Sequence, residues 1–311
     1  MTPEPLISIV CCTHNRLDFV RTHLEALKPQ LQAGLELLYA LDHCTDGTRA
    51  FLQEATQHLP GVRIAENDGD RGLFNCRNFG LTQSRGQFIH FLDDDDGVEA
   101  DFYARALASL AALQGQHVDL YLTALHVSEP DHPPVDKPVL SPACLRRVSQ
   151  VGNEQHLTGD LFRAVLDGQI YFNGANTLFS RALLQRYGFR GTLKKSADWL
   201  FSLEASLGGD LHIVYNPTLA AKYFVHSASM SLAPDKAGWN AKVFDTLLSI
   251  APADSPHRDA IRKACAMANF HAGYAYRRTD MRQALALYGR AFRLGLRGKS
   301  ALAGAKLLIG H

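Results

Sequence analysis

The chain has 311 residues, of which 46% are hydrophobic and 20% charged, enough apolar material for a full core and too much for a disordered chain. A formal net charge of +1 leaves no excess of Lys and Arg for coating nucleic acid, so any anionic ligand has to be held by local charges. The six cysteines show no CxxC spacing and fit reduced thiols in a cytoplasmic setting, and no run of about eighteen apolar residues is present to span a membrane.

Residues 6–12, LISIVCC, form an apolar run that reads as a buried strand. The turn THNR follows, with Asn15 placed to cap a helix in which Leu17, Val20, Leu24 and Leu27 recur at helical spacing before Pro29. LELLYAL (35–41), VRIA (62–65) and QFIHFL (87–92) read as three more strands, separated by the polar loops DHCTDGT and NDGDRG and by helices through Ala50–Ala55 and through LFNCRNFGLTQS. Such alternation implies an α/β fold with crossovers and a mostly parallel sheet, whose ligands bind at the carboxyl ends of the strands. All of the polar loops then face one crevice.

A helix over 99–113 and a strand over 118–125 come next. Residues 127–159 carry five prolines and read as a long, functional or mobile loop. GANTLFS, LHIVYN and TLAAKYFVH read as strands, and RALLQRYG and DWLFSLEASLG as helices. From about 232 the pattern is helical to the end, with eight Lys or Arg against one Asp over 271–311. This basic stretch fits either a helix pair packed on the main domain or peripheral contact with an anionic membrane surface.

The stretch FLDDDDG places four aspartates, Asp93 to Asp96, just past the fourth strand. Adjacent carboxylates raise one another's pKa unless positive charge sits among them. The run reads as an acidic turn ahead of a helix or, given its place at the crevice, as a metal site.

Together, ISIVCCTHNR, DHCTDGT, GLFNCRNFGL and FLDDDDG resemble, in order and spacing, the motifs of the glycosyltransferase family 2 group, over roughly residues 6–231. The resemblance implies a GT-A, Rossmann-like fold, with a glycosyltransferase domain at 1–231 (nucleotide-sugar half 1–125, acceptor half 126–231) and a helical C-terminal extension at 232–311. It implies transfer from a nucleotide-diphosphate sugar, uridine being the expected base, to a hydroxyl of a glycan, lipid-linked or protein acceptor, with Mg or Mn as cofactor. Enzymes of this group commonly build surface polysaccharide, lipid-linked oligosaccharide or protein glycans. The FLDDDD run aligns on the family's DxD motif, with Asp93 near the ribose, Asp94 beside it and Asp95 as metal ligand.

By the same resemblance, Thr13, His14 and Arg16 contact the nucleotide and Asp42 the base, although Leu41 and His43 flank it where the family often has a second aspartate. Arg71 and Arg77 supply positive charge for the diphosphate, and Arg77 is equally placed for an ion pair with the cluster. Asp198 matches the general base, with Ala197 where the family usually has glutamate, and a helix-start aspartate is the alternative. His226 matches a further metal or phosphate contact, and Asn173, Gly174 and Trp199 fall in the acceptor region. A nucleotidyltransferase, which usually opens with a glycine-rich loop that CCTHNR lacks, and a catalytically inactive nucleotide-sugar binding module are the competing readings.

Overall fold

The protein is described here as a computed structural model covering residues 4–113, 115–129, 132–137, 145–170, 173–226 and 235–309. Strands β1 (Ile7–Thr13) and β2 (Leu35–Asp42) are buried along their whole length, as apolar runs covered on both faces must be. They pair in parallel, with Ile7 opposite Leu35 and Thr13 opposite Leu41. β3 (Val62–Asn67) extends the sheet beyond β2, and β4 (Phe88–Phe91) pairs in parallel on the other side of β1. Helices α1 (Leu17–Leu27), α2 (Thr48–Thr56) and α3 (Leu73–Gln83) make the crossovers. Strand order reverses between β1 and β4, so the loops after Thr13 and after Phe91 open a crevice at a topological switch point.

Beyond β4 the sheet changes character. β5 (Gly97–Val98) and α4 (Phe102–Ala112) lead to β6 (Leu120–Ser128), and the short β10 (Thr177–Ser180) lies antiparallel between β4 and β6. The two stretches expected as separate strands after 210 form one strand, β11 (Leu211–Phe224), parallel to β6 with a register shift between Asn216 and Ala220, where Pro217 has no N–H to donate.

The 127–159 region differs from expectation. Its described residues include β7 (Val135–Lys137), β8 (Arg146–Val151) and β9 (Glu154–Gly159), and β8 and β9 form a hairpin that extends the sheet beyond β11. A two-residue Gly152-Asn153 turn, with Gly152 at φ 58°, makes the connection. The strands carry no apolar alternation because β8 is exposed throughout, and β9 is anchored by Glu154, which accepts from Ser109 Oγ (2.7 Å), Tyr121 OH (2.9 Å) and Asn216 Nδ2 (3.0 Å). The prolines at 130, 138 and 142 lie outside the described residues.

Helices α5 (Phe162–Leu166), α6 (Arg181–Tyr187) and α7 (Ala197–Leu207) complete the main body. α8 (Lys236–Ile250) packs on α7 through an edge-to-face contact of Trp199 with Phe244, and α9 (Arg258–Tyr276), α10 (Met281–Arg293) and α11 (Arg297–Ile309) stack in sequence onto it. Among the described residues no helix is long and apolar enough to cross a membrane.

Two histidines sit within the core. His23 Nδ1 meets the Tyr39 hydroxyl at 2.9 Å, and His90 bridges the Tyr103 hydroxyl (2.8 Å) and the Ala175 carbonyl (2.7 Å). Burial pushes both pKa values down to about 4. Between the unfolded value of about 6.5 and that level the unfolded chain binds protons that the folded chain does not, so this pair makes stability fall as pH drops through the window. The urea midpoint, measured across that pH range, is expected to decline less steeply in the His23→Gln/His90→Gln variant than in the wild type. Comparing the two chains subtracts every other titrating group, and coincident slopes would contradict the assignment.

Candidate active site

The carboxylate cluster is built by a tight turn in which the Asp96 N–H donates to the Asp93 carbonyl at 3.0 Å. This folds Asp93, Asp95 and Asp96 toward one another, so that one oxygen of each lies within 4.8 Å of the others. Asp94 points away from that group into the protein, where it accepts from Thr13 Oγ1 (2.6 Å) and pairs with Arg16 Nη1 (2.8 Å). Burial pushes the Asp94 carboxyl up to about 7 in spite of those partners, with its charged neighbours adding to the rise. Burial also acts to raise Asp95, but hydrogen bonds from His226 Nε2 and Arg16 Nη2, each 2.8 Å from Oδ2, outweigh it and hold that carboxyl below its ordinary value. Asp96 is raised well above the usual range, by burial first and then by Asp93 and Asp95.

Arg77 settles the charge of Asp93: its Nη2 lies 2.9 Å from both Asp93 oxygens. Burial disfavours the guanidinium charge, and Asp93 more than offsets this. Of the two roles left open for Arg77, the ion pair is the one present. The next residue, Asn78, exchanges two hydrogen bonds with the Phe189 backbone (2.6 and 2.9 Å), so α3 also pins the segment that leads to α7.

On the β2 side, Asp42 is buried and spends both oxygens on neighbours, Oδ1 on Asn67 Nδ2 and Oδ2 on the Gly72 N–H, each at 2.9 Å. Gly72 presents that N–H with φ 117°, a conformation few other residues adopt. His14 Nδ1 meets the Asp42 carbonyl. Asn15 does not cap α1: its Oδ1 accepts from the Thr45 N–H (2.7 Å), and Asp46 Oδ2 takes the Leu17 N–H (3.3 Å) instead. Arg71 is exposed in the loop before α3 and lies outside the cavity described next.

A cavity of about 400 Å³ opens beside the cluster. Asp93, Asp96 and Arg77 line it, as do Asp198 and Trp199 at the start of α7. Asn173 and Gly174 form part of it. Gly174 is required there, because a Cβ would stand 2.4 Å from the Phe91 carbonyl oxygen and 3.0 Å from Arg77 Nη2. Asn173 and Asn176 lock the segment by reciprocal backbone-to-side-chain bonds of 2.9 and 3.1 Å.

Cavity residues not foreseen from the sequence include Lys195, Ser196, Tyr223 and, from α8, Lys236 and Asn240. Lys195 Nζ pairs with Asp235 Oδ1 at 2.5 Å, and Ser196 Oγ lies 3.4 Å from Asn240 Oδ1. Only the apolar pattern of α8 was legible, and an apolar pattern does not say which residue at a helix start meets a distant loop. The positive φ of Ser196 (60°) is likewise invisible in sequence.

The sheet, with its switch point, the acidic turn and the adjoining cavity, defines a GT-A fold. Solved structures bear out the class. S. aureus TarS (residues 1–349), in a structure titled as a complex with UDP-GlcNAc, superposes with a TM-score of 0.63 at 16% identity over 98% of this chain and 92% of that one. The mannosyltransferase PcManGT from Pyrobaculum calidifontis, in a structure titled as a complex with GDP-Man and Mn2+, gives a TM-score of 0.59 at 17% identity over 99% and 81%. In sequence, residues 8–121 match the family described as Glycosyl transferase family 2. The putative glycosyltransferase EpsH of Bacillus subtilis is 24% identical over 230 residues, 73% of this chain and 62% of that protein, so the chain spans about six tenths of that relative's length. Over residues 8–121 the chain therefore resembles glycosyltransferase family 2.

Replacing Arg77 leaves Asp93 facing its neighbouring carboxylates without a counter-charge. Arg77→Met is expected to cost roughly 1–3 kcal/mol, below the range for a fully buried pair because Asp93 retains 27% side-chain exposure. Urea unfolding at neutral pH without added metal measures this, and an unchanged midpoint would mean that the pair contributes nothing.

Proposed function

We propose that the protein transfers a sugar from a nucleoside-diphosphate sugar, with uridine as the base, to a hydroxyl of a glycan, lipid-linked or protein acceptor, with inversion at C1. The observation that carries this reading is that Asp198 and the Asp93 and Asp96 carboxylates line one cavity. A metal-side wall and a candidate base therefore share a space large enough for a sugar. The UDP-GlcNAc bound by TarS and the GDP-Man and Mn2+ bound by PcManGT support the donor class.

The residues present fit a divalent cation, since Asp93, Asp95 and Asp96 offer three carboxylate oxygens in mutual reach and hard cations prefer oxygen ligands. Mg or Mn bound there would offset the negative charge that builds on the leaving diphosphate. Arg16 and His226, whose side chains meet Asp95 Oδ2, are the residues we assign to the phosphate oxygens. Thr13 and Arg16 keep Asp94 turned inward, which leaves its neighbours to face the ligand.

Chemistry follows from Asp198. Its carboxylate takes the proton of the acceptor hydroxyl as the oxygen attacks C1; the new C1–O bond forms while the bond from C1 to the diphosphate oxygen breaks, and the nucleoside diphosphate leaves. Asp198 Oδ1 accepts the Trp199 N–H at 2.9 Å, which fixes the orientation of the carboxylate and leaves Oδ2 for the proton.

Two measurements test the scheme. Calorimetric titration of UDP, with GDP as control, is expected to show binding that depends on Mn and disappears in Asp95→Ala; metal-independent binding, or none, would remove the donor assignment. Asp198→Asn is expected to lower kcat by roughly 10²–10⁴-fold with UDP affinity retained. Unchanged turnover would leave the base elsewhere, and no turnover in the wild type with intact UDP binding would favour a binding module.

A further inference from the structure

Positive charge is concentrated in one part of this chain. Residues 281–311 hold six cations, Arg282, Arg290, Arg293, Arg297, Lys299 and Lys306, and no Asp or Glu. Since the whole chain has a net charge of +1, the remainder is acidic. Arg290 is paired with Asp245 at 3.0 Å. The other five are exposed and, among the described residues, lie within ion-pair distance of no carboxylate.

Helix α11 joins this charge to an exposed apolar surface. It packs on α10 through Ser300, Ala303, Gly304 and Leu307, which recur at helical spacing and are buried or half-buried, and a Cβ at Gly304 would stand 3.9 Å from Leu285 of α10. Lys299, Leu302 and Lys306, at positions i, i+3 and i+7, share the other face. Leu302 is 60% exposed and Leu308 70%, and Phe292 of α10 is exposed as well. Single exposed leucines are ordinary, but leucines set among unpaired cations, with no acidic residue along the helix, make a basic amphipathic face. Arg297 and Lys299 also stand in the first turn of α11, where the helix dipole disfavours cations, so helix stability does not account for them.

We propose that this face of α11 rests on an anionic lipid surface, with the lysines among the headgroups and Leu302 and Leu308 at the acyl boundary. A thirteen-residue helix lies in the plane of such a surface and does not cross it. The charge distribution orients the molecule, because the acidic remainder is repelled by the surface that attracts α10 and α11. A second copy of the chain fits this face less well, since two such faces bring like charges together, and a nucleic acid leaves the leucines without partners. No residue of α10 or α11 lines the Asp198 cavity, so the proposal holds whatever that cavity binds.

Co-sedimentation of the full chain with vesicles of phosphatidylcholine, alone or with about one third phosphatidylglycerol, tests this at about 0.05 M and about 0.5 M salt. Binding to the anionic vesicles is expected to be roughly tenfold or more tighter than to the neutral ones and to weaken at the higher salt. The Lys299→Ala/Lys306→Ala variant is expected to bind the anionic vesicles roughly tenfold or more weakly than the wild type, and Leu302→Ser/Leu308→Ser to weaken binding at both salt concentrations. These four side chains are exposed, and thermal melting followed by circular dichroism checks that both variants fold as the wild type does. No binding to either vesicle, equal binding to both, or folded variants that bind like the wild type would overturn the proposal. Binding of a single-stranded oligonucleotide as tight as that of the vesicles, with the leucine variant unaffected, would replace the lipid by a polyanion. A dimer in sedimentation equilibrium that Leu302→Ser/Leu308→Ser dissociates would replace it by a second copy of the chain.

Discussion

Mutual repulsion among the carboxylates that follow β4 is the constraint around which the crevice is organised. Four carboxyl groups in consecutive positions are tolerated because the Asp93–Asp96 turn sends them to different partners and burial raises Asp94 and Asp96. Asp94 goes inward to Thr13 and Arg16, Asp93 to Arg77, and Asp95 to Arg16 and His226. Those partners come from the end of β1, from α3 and from the end of β11, so the electrostatic need of one turn ties together elements far apart in the chain. Asp96 accepts from the Phe224 N–H at 3.3 Å and, among the described residues, is in no ion pair; burial and its neighbours raise its carboxyl well above the usual range, the condition in which a carboxylate gains most from a cation.

Backbone strain is concentrated on the same rim. Among the described residues, the non-glycine positions with positive φ are Asn15, His43 and Ser196, each in a loop beside the site. Such conformations cost of order 1–3 kcal/mol each and persist only where surroundings hold them. Asn15 is held by Thr45, His43 by the Gly69 carbonyl at 2.8 Å and Ser196 by contact with Asn240. The core supplies rigidity from below, since His90 carries the Ala175 carbonyl and so fixes the Asn173–Ala175 passage over the end of β4.

What could be read in the sequence follows the physics of burial. Apolar runs such as LISIVCC and LELLYAL announce buried strands because nothing else accounts for them, and the order of polar loops then places Asp42, Asp93 and Asp95 on one edge. The β8–β9 hairpin was not legible by that route. Its strands are stabilised by the Gly-Asn turn and by the Glu154 network instead of an apolar face, so only the turn gave a signal. Asn15 looked like a helix cap by position, yet its side chain bonds the neighbouring loop, a partner 30 residues away that no local pattern encodes. Asn78 was overlooked beside Arg77 for the same reason, its partner being 111 residues away.

The start of α8 shows why such long-range partners matter for function. Asp235 holds Lys195 and the Trp239 indole at once, and Asn240 meets Ser196, so the loop that delivers Asp198 is braced from the C-terminal helices. α3 braces the segment before that loop through Asn78 on Phe189, while its Arg77 holds Asp93. The acidic turn and the segment that carries the candidate base are thus each braced by a helix, α3 for the one and α8 for the other. In the proposed reaction an acceptor oxygen comes in line with a leaving diphosphate, and small errors in the approach of reacting atoms cost large factors in rate.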